Sequence, residues 1–240
     1  MINKKILIVG ASSGIGKELA LRYAKKGYRV GVTGRRADLL KQLQESFPTQ
    51  IFTACFDVME SDNILHLNKL IQEMGGMDIL VYNSGYGDTS ATLNWEIDRQ
   101  TTLTNVNGFL AVIHFAYQYF VEQGYGQIAA TSSIASIRGN SWAPAYNASK
   151  AYMSNYMEGL HMKTAKCKNN ITITDIQPGF VKTKMAKGNG QFWVSSVEKA
   201  AQQIETAIEK KKRIAYISRR WWMIAQLMKI LPYSIYKRMG

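Results

Sequence analysis

The chain has 240 residues, 46% of them apolar, enough for one sizeable core and in keeping with a single α/β domain. Two cysteines, Cys55 and Cys167, exclude a disulfide framework, and both read as reduced structural thiols; His66, His114 and His161 are scattered, so no carboxylate–histidine cluster suggests a metal. The 30 Lys+Arg against 17 Asp+Glu leave a net charge of +13, which draws anionic partners, but no helix-turn-helix, zinc finger or stacking platform accompanies it, and no nucleic-acid partner is expected.

Residues 6–9 form a short, wholly apolar run of the kind a parallel strand buried on both faces shows. The run starts almost at the first residue, leaving no room for a secretory signal, so a cytoplasmic protein is expected. Gly10-Ala11-Ser12-Ser13-Gly14-Ile15-Gly16 follows, then helical spacing over 17–26 and a stop at Gly27. Strand, glycine turn and helix in this order make a phosphate cradle. The glycines permit tight turning and close backbone approach, and the helix N-terminus offers free N–H groups. The spacing G-x-x-x-G-x-G differs from the G-x-G-x-x-G of most dinucleotide folds, and a plain strand–helix connection is the alternative. The next strand, 29–33, ends in Gly34-Arg35-Arg36 where many NAD-binding domains carry an acid. Two guanidinium groups there suit a phosphate and point to NADP (NADPH) rather than NAD. Arg35 is the residue expected on the 2′-phosphate; Arg36 by itself reads as a solvated basic turn.

Further apolar runs at 51–56, 78–82, 127–131, 171–177 and 213–217 alternate with helical stretches bounded by Gly, Asn or Pro. That is the pattern of a doubly wound parallel sheet of seven strands. Ser133 follows the fifth run, and Tyr146 and Lys150 stand four apart on one face of the next helix. A phenol has a pKa of about 10 in water. A nearby ammonium lowers it and gives a proton donor or acceptor usable near neutrality, as alcohol–carbonyl interconversion requires. Ser133 is placed to bond the same substrate oxygen.

With both halves read, the chain resembles the short-chain dehydrogenase/reductase family over residues 3–217. The glycine motif matches, with Val9 in place of the usual threonine; Asn83-Ser84-Gly85, Asn105-Val106-Asn107-Gly108, Ser133, Tyr146-x-x-x-Lys150 and Pro178-Gly179-Phe180-Val181-Lys182-Thr183 follow in family order. The resemblance implies a Rossmann fold with strand order 3-2-1-4-5-6-7. It implies an adenine contact at Asp57 with its neighbour Val58, and roles near the riboses for Asn83, Ser84 and Gly85. The backbone of Val181 and the hydroxyl of Thr183, after Pro178-Gly179, would hold the nicotinamide carboxamide. The catalytic tetrad would be Asn105, Ser133, Tyr146 and Lys150, with Lys150 also on the nicotinamide ribose and Asn105 holding a water that links Lys150 to solvent. The expected reaction is NADPH-dependent interconversion of a ketone or aldehyde and an alcohol. A catalytically silent NADP-sensing or scaffold protein of the same fold is the alternative of a different class.

The Rossmann domain is expected over residues 1–218, with a helical extension over 219–240. From Trp221 to Leu231 only Gln226 and Lys229 are polar, and Pro232 then interrupts the helix. Eleven residues are too few to cross a bilayer, but paired tryptophans flanked by Arg219, Arg220 and Lys237 suit its surface. Two readings stand: a membrane-peripheral reductase of a lipid-like ketone, associated with the inner face of a membrane through residues 219–239, or a helix that packs on its own domain, lines the substrate pocket or forms a subunit interface. The expected partners are an apolar carbonyl or alcohol substrate and further copies of the chain in a homodimer or homotetramer. Gly188 and Gly190 read as hinges of a substrate-covering segment closed by Phe192 and Trp193. Tyr86, Trp95, Ile134, Trp142 and Met185 are the expected pocket residues.

Overall fold

Strand β1 (Lys5–Val9) sends Ile6 and Ile8 into one apolar layer and Leu7 and Val9 into the other, so both faces of the sheet are covered. The computed structural model describes residues 4–90, 92–166, 169–183, 185 and 191–238. Cys167, Gly188, Gly190 and Met239 lie outside these described residues.

The other strands are β2 (Arg29–Gly34), β3 (Ile51–Cys55), β4 (Ile79–Tyr82), β5 (Tyr125–Thr131), β6 (Asn170–Pro178) and β7 (Ile214–Ile217). All pair in parallel in the order β3-β2-β1-β4-β5-β6-β7, as the resemblance implied. Helices α1 (Gly14–Lys25), α2 (Ala37–Ser46) and α7 (Val197–Glu209) cover one face; α3 (Asn63–Glu73), α5 (Phe109–Gln123) and α6 (Pro144–Ala165) cover the other. Helix α4 (Trp95–Thr102) passes through a π-helical turn (Leu103–Gly108) into α5. Arg22 of α1 and Lys26, just past its end, both ion-pair the buried Glu205 of α7, the former at 2.6 Å, and clamp the first layer together.

Strand β5 begins two residues earlier than the apolar run predicts. Gly124 ends α5 at φ +86°, and Tyr125 and Gly126 then pair with Asn170 and Ile171. Gly126 lies under the Phe120 ring, where a Cβ would come within 2.2 Å of it, so a polar-looking turn extends the strand. His114 is exposed on α5. The extension forms α8 (Trp221–Ile230) and a short α9 (Tyr233–Tyr236) on either side of Pro232. Among the described residues, no helix is long and apolar enough to cross a membrane.

Candidate active site

The parallel sheet brings the ends of β1, β4, β5 and β6 to one edge, and the functional side chains collect there. Gly10 leaves β1 at φ +87°, and a Cβ on it would lie 2.6 Å from Ser84 after β4. A Cβ on Gly16 would meet the Gly10 carbonyl at 2.2 Å, so α1 approaches the turn as closely as backbone permits. Ser13 stands at the N-cap of α1, but its side chain accepts no hydrogen bond from the first N–H groups of the helix. The first N–H groups of the helix are thus left for a ligand. Thr183, from the segment after β6, comes to within ordinary contact distance of the position a Gly14 Cβ would take. A turn stripped of Cβ atoms, uncapped at a helix N-terminus, fits a dinucleotide pyrophosphate.

Arg36 is exposed, as a basic turn should be, but its guanidinium is also held: it donates to Ser12 Oγ at 2.7 and 3.1 Å and to Ser13 Oγ at 2.7 Å. The reason is that β2 and the glycine turn are adjacent, Gly10 and Ala11 both donating to the Thr33 carbonyl. Arg35 is exposed and pairs with Asp57 at 3.3 Å. Arg35, Arg36, Asp57 and Val58 therefore sit together beside the cradle, with no carboxylate at Gly34 to repel a phosphate.

A relay of hydrogen bonds joins cradle to helix α6. Asn83 Nδ2 donates to the Gly10 carbonyl at 3.1 Å, Thr131 Oγ1 donates to Asn83 Oδ1 at 3.1 Å, and Lys150 Nζ donates to the Thr131 carbonyl at 2.9 Å. Lys150 is buried, with its Nζ 5.7 Å from the centre of the Tyr146 ring. Gly85 lies against Lys150 and Asn105, where a Cβ would stand 3.5 Å from both polar atoms. Asn105, fully buried in the π-helical turn, takes the Tyr86 N–H on Oδ1 at 2.8 Å and gives Nδ2 to the Tyr86 carbonyl and Ser149 Oγ at 2.7 and 2.9 Å. Gly108 completes the motif by resting on Val58, where a Cβ would be 2.9 Å from its methyl. Ser133 caps a short 3-10 turn (Ile134–Ser136), its Oγ accepting from the Ala135 N–H at 3.1 Å and donating to the Pro178 carbonyl at 3.4 Å.

The electrostatics depart from the expectation in one respect. The Tyr146 phenol is raised by burial, with a hydrogen bond to Ser133 working in the other direction, rather than lowered by Lys150. Lys150 turns its ammonium to the Thr131 carbonyl and the Met153 sulfur, and burial brings its own pKa down to about 8. A phenol so held stays protonated at neutrality and is ready to donate.

Sequence reasoning missed three residues. Tyr146 rests on Gly87, where a Cβ would lie 2.3 Å from the ring. Ser149 orients Asn105 and itself donates to the Tyr146 carbonyl at 2.8 Å. Asp175, on β6, is buried and receives hydrogen bonds from Ser132 Oγ (2.5 Å), Ser154 Oγ (2.6 Å) and Gln177 Nε2 (2.6 Å). Three donors and no acceptor are what a carboxylate requires. Burial raises the acid's pKa, while these bonds and the charge of Lys150 lower it, and Asp175 in turn favours the ammonium of Lys150. The available signal was the one charged residue of β6, at a position the strand buries.

Of the expected pocket residues, Tyr86 and Ile134 adjoin Asn105 and Ser133, and Trp142 shares a narrow crevice with Tyr146. Trp95 and Met185 are exposed. Phe192 and Trp193 pack on Trp221 at centroid distances of 5.0 and 6.2 Å, and Phe180 joins them at 5.5 Å. Elsewhere, folding does bring one histidine to carboxylates: Glu60, Asp62 and His66 approach within 4.8 Å on the surface, because helical spacing puts Asp62 one turn from His66.

Comparison with known proteins identifies the family and the fold. The profile of the family described as short chain dehydrogenase matches residues 4–192. An uncharacterized oxidoreductase of Myxococcus xanthus is 36% identical over 195 residues, covering 79% of this chain and 76% of that protein. A glucose 1-dehydrogenase of Gluconobacter oxydans is 30% identical over 203 residues, covering 81% of this chain and 74% of that one. Among solved structures, a short-chain dehydrogenase from Streptomyces avermitilis superposes with a TM-score of 0.81 at 23% identity (93% of this chain, 92% of that one). ElxO with NADP bound gives 0.79 at 23% identity, covering 90% and 97%. The chain belongs to the short-chain dehydrogenase/reductase family and is an oxidoreductase of that family.

Proposed function

We propose that the protein is an NADPH-dependent carbonyl reductase, reducing an apolar ketone or aldehyde to an alcohol and able to run in reverse. The observation that carries the reading is the relay Gly10–Asn83–Thr131–Lys150, which couples a phosphate cradle to the helix bearing Tyr146. When bound, the reduced nicotinamide supplies a hydride to the carbonyl carbon. Tyr146 gives its phenolic proton to the carbonyl oxygen, and Ser133 donates a hydrogen bond to the same oxygen and orients it. Lys150 holds the ribose hydroxyls, and the hydrogen bond to Ser133 favours the phenolate left behind. Asn105 fixes the turn at Tyr86 and keeps α6 in register through Ser149. Gly10, Ser12, Ser13, Gly14, Ile15 and Gly16 hold the pyrophosphate. Arg35 and Arg36 grip the 2′-phosphate, and Asp57 and Val58 flank the adenine. Pro178, Gly179, Val181 and Thr183 face the carboxamide.

The raised phenol favours reduction near neutrality, since reduction needs the protonated form and oxidation the phenolate. The test is NADPH oxidation against a panel of ketones and aldehydes with Tyr146→Phe beside the parent. Turnover in the parent, with loss of at least about a hundredfold in the variant and NADPH binding intact by fluorescence, is expected; a variant that keeps its activity overturns the acid assignment. Arg35→Asp is expected to weaken NADPH by about tenfold or more while leaving NADH little changed. An unchanged ratio of the two affinities removes Arg35 from the phosphate site.

A further inference from the structure

Helix α8 inverts the pattern of a surface helix. Successive residues turn by about 100°, so buried Trp221 and Ala225 mark the inward pole. Met223 and Ile230 stand at the outward pole, 53% and 78% exposed, where a surface helix ordinarily carries charge. Leu227 lies on one flank and Trp222, 55% exposed, on the other. Past Pro232 the apolar surface continues through Tyr233, 73% exposed, and Ile235.

The flank that carries Trp222, Gln226 and Lys229 forms one wall of a groove of about 1230 Å³ shared with α7 and β7. Tyr146 is not part of its lining. Its lining holds Lys199, Lys212, Arg213, Arg219, Arg220 and Lys229 and no acid. Only Arg213 among them is paired with a carboxylate, Glu158 at 3.2 Å, among the described residues. The sequence accounts for the imbalance: after Glu209 it contains nine Lys or Arg and no Asp or Glu.

We propose that this face docks on the surface of an anionic phospholipid bilayer. Helices α8 and α9 lie in the plane of the headgroups. Met223, Leu227, Ile230 and Tyr233 enter the acyl boundary, and the cations of the groove meet the lipid phosphates. Charge complementarity selects this occupant. A second copy of the chain would set like cations against one another. A nucleic acid would satisfy the cations but offer no seat for the apolar pole. A bilayer accepts both, and α8 at about 15 Å is far too short to do more than lie on it. Arg138 Nη2 donates to the Leu231 carbonyl at 2.7 Å and Tyr236 Oη to the Gly139 carbonyl at 2.7 Å. The docked helices are thereby fastened to the loop that follows Ser133. Docking does not depend on the reaction proposed above.

Flotation of the intact protein with vesicles tests the proposal. Vesicles rich in phosphatidylglycerol should carry the chain upward at low salt, whereas phosphatidylcholine alone or high salt should not. Met223→Ser with Ile230→Ser should leave the chain at the bottom with its thermal midpoint unchanged. Arg219→Ser and Lys229→Ser should each weaken binding by about fivefold. Three outcomes overturn the proposal: an intact chain that ignores phosphatidylglycerol, a double serine variant that floats as the parent does, or a parent that does not float and whose oligomer falls apart in the double variant, which would assign the face to contact between copies.

Discussion

Asp175 shows how much the site owes to a side chain that never reaches it. The carboxylate ties Ser132, the residue before Ser133, to Ser154, one turn beyond Lys150, and it is the buried negative charge that offsets the buried ammonium. Asp175→Asn keeps the shape and removes the charge, so Lys150 should lose its proton more readily. Lys150 already sits at about 8 with the carboxylate present. An activity that needs the ammonium is full below that pKa and fades above it, so the alkaline limb of carbonyl reduction should move to lower pH in the variant. A merely structural role would lower the rate without moving the limb. Asp175→Ala strands three donors and should cost about 3 kcal/mol in urea unfolding. Asp175 was hard to see in advance because a strand's polar residue is read by its neighbours in space. Ser132, Ser154 and Gln177 converge on it only after β5, α6 and β6 have packed.

At the scale of elements, the strand–glycine turn–helix unit and the Tyr146–Lys150 spacing were legible because each is written in consecutive residues. The pairing of Arg36 with Ser12 and Ser13 was not, since it depends on β2 lying beside the first turn. The extension divides in the same way. Its apolar character was plain, but its fastening was not: Trp221 covers Gly179 so closely that a Cβ there would fall 2.0 Å from the indole. Phe180, Phe192 and Trp193 close around it. The first residue of α8 is therefore packed on the domain, while its outer pole is not. Trp221→Ala should lower stability by about 3 to 5 kcal/mol in chemical unfolding, as for a large buried aromatic. Trp222→Ala, one residue on, should change it by less than about 0.5 kcal/mol. Equal effects would mean that α8 does not hold to the domain through Trp221.

At the scale of the whole molecule, apolar runs separated by helical stretches predicted the α/β class, but alternation alone does not order strands; that came through the motifs shared with the family. The charge distribution was half legible. Net charge and the acid-free C-terminal run could be counted, whereas their gathering beside β7 depended on where the sheet ends. A sheet of seven strands has two open margins, and an open margin is a template on which further strands can grow into fibrous aggregates. Strand β7 is only four residues long, with Lys212 and Arg213 before it and Arg219 and Arg220 after it. Any strand from another copy laid along this margin in the same register would bring its own cations against these. The same cations that line the groove would thus also oppose growth of the sheet at this margin, beside the exposed apolar pole of α8.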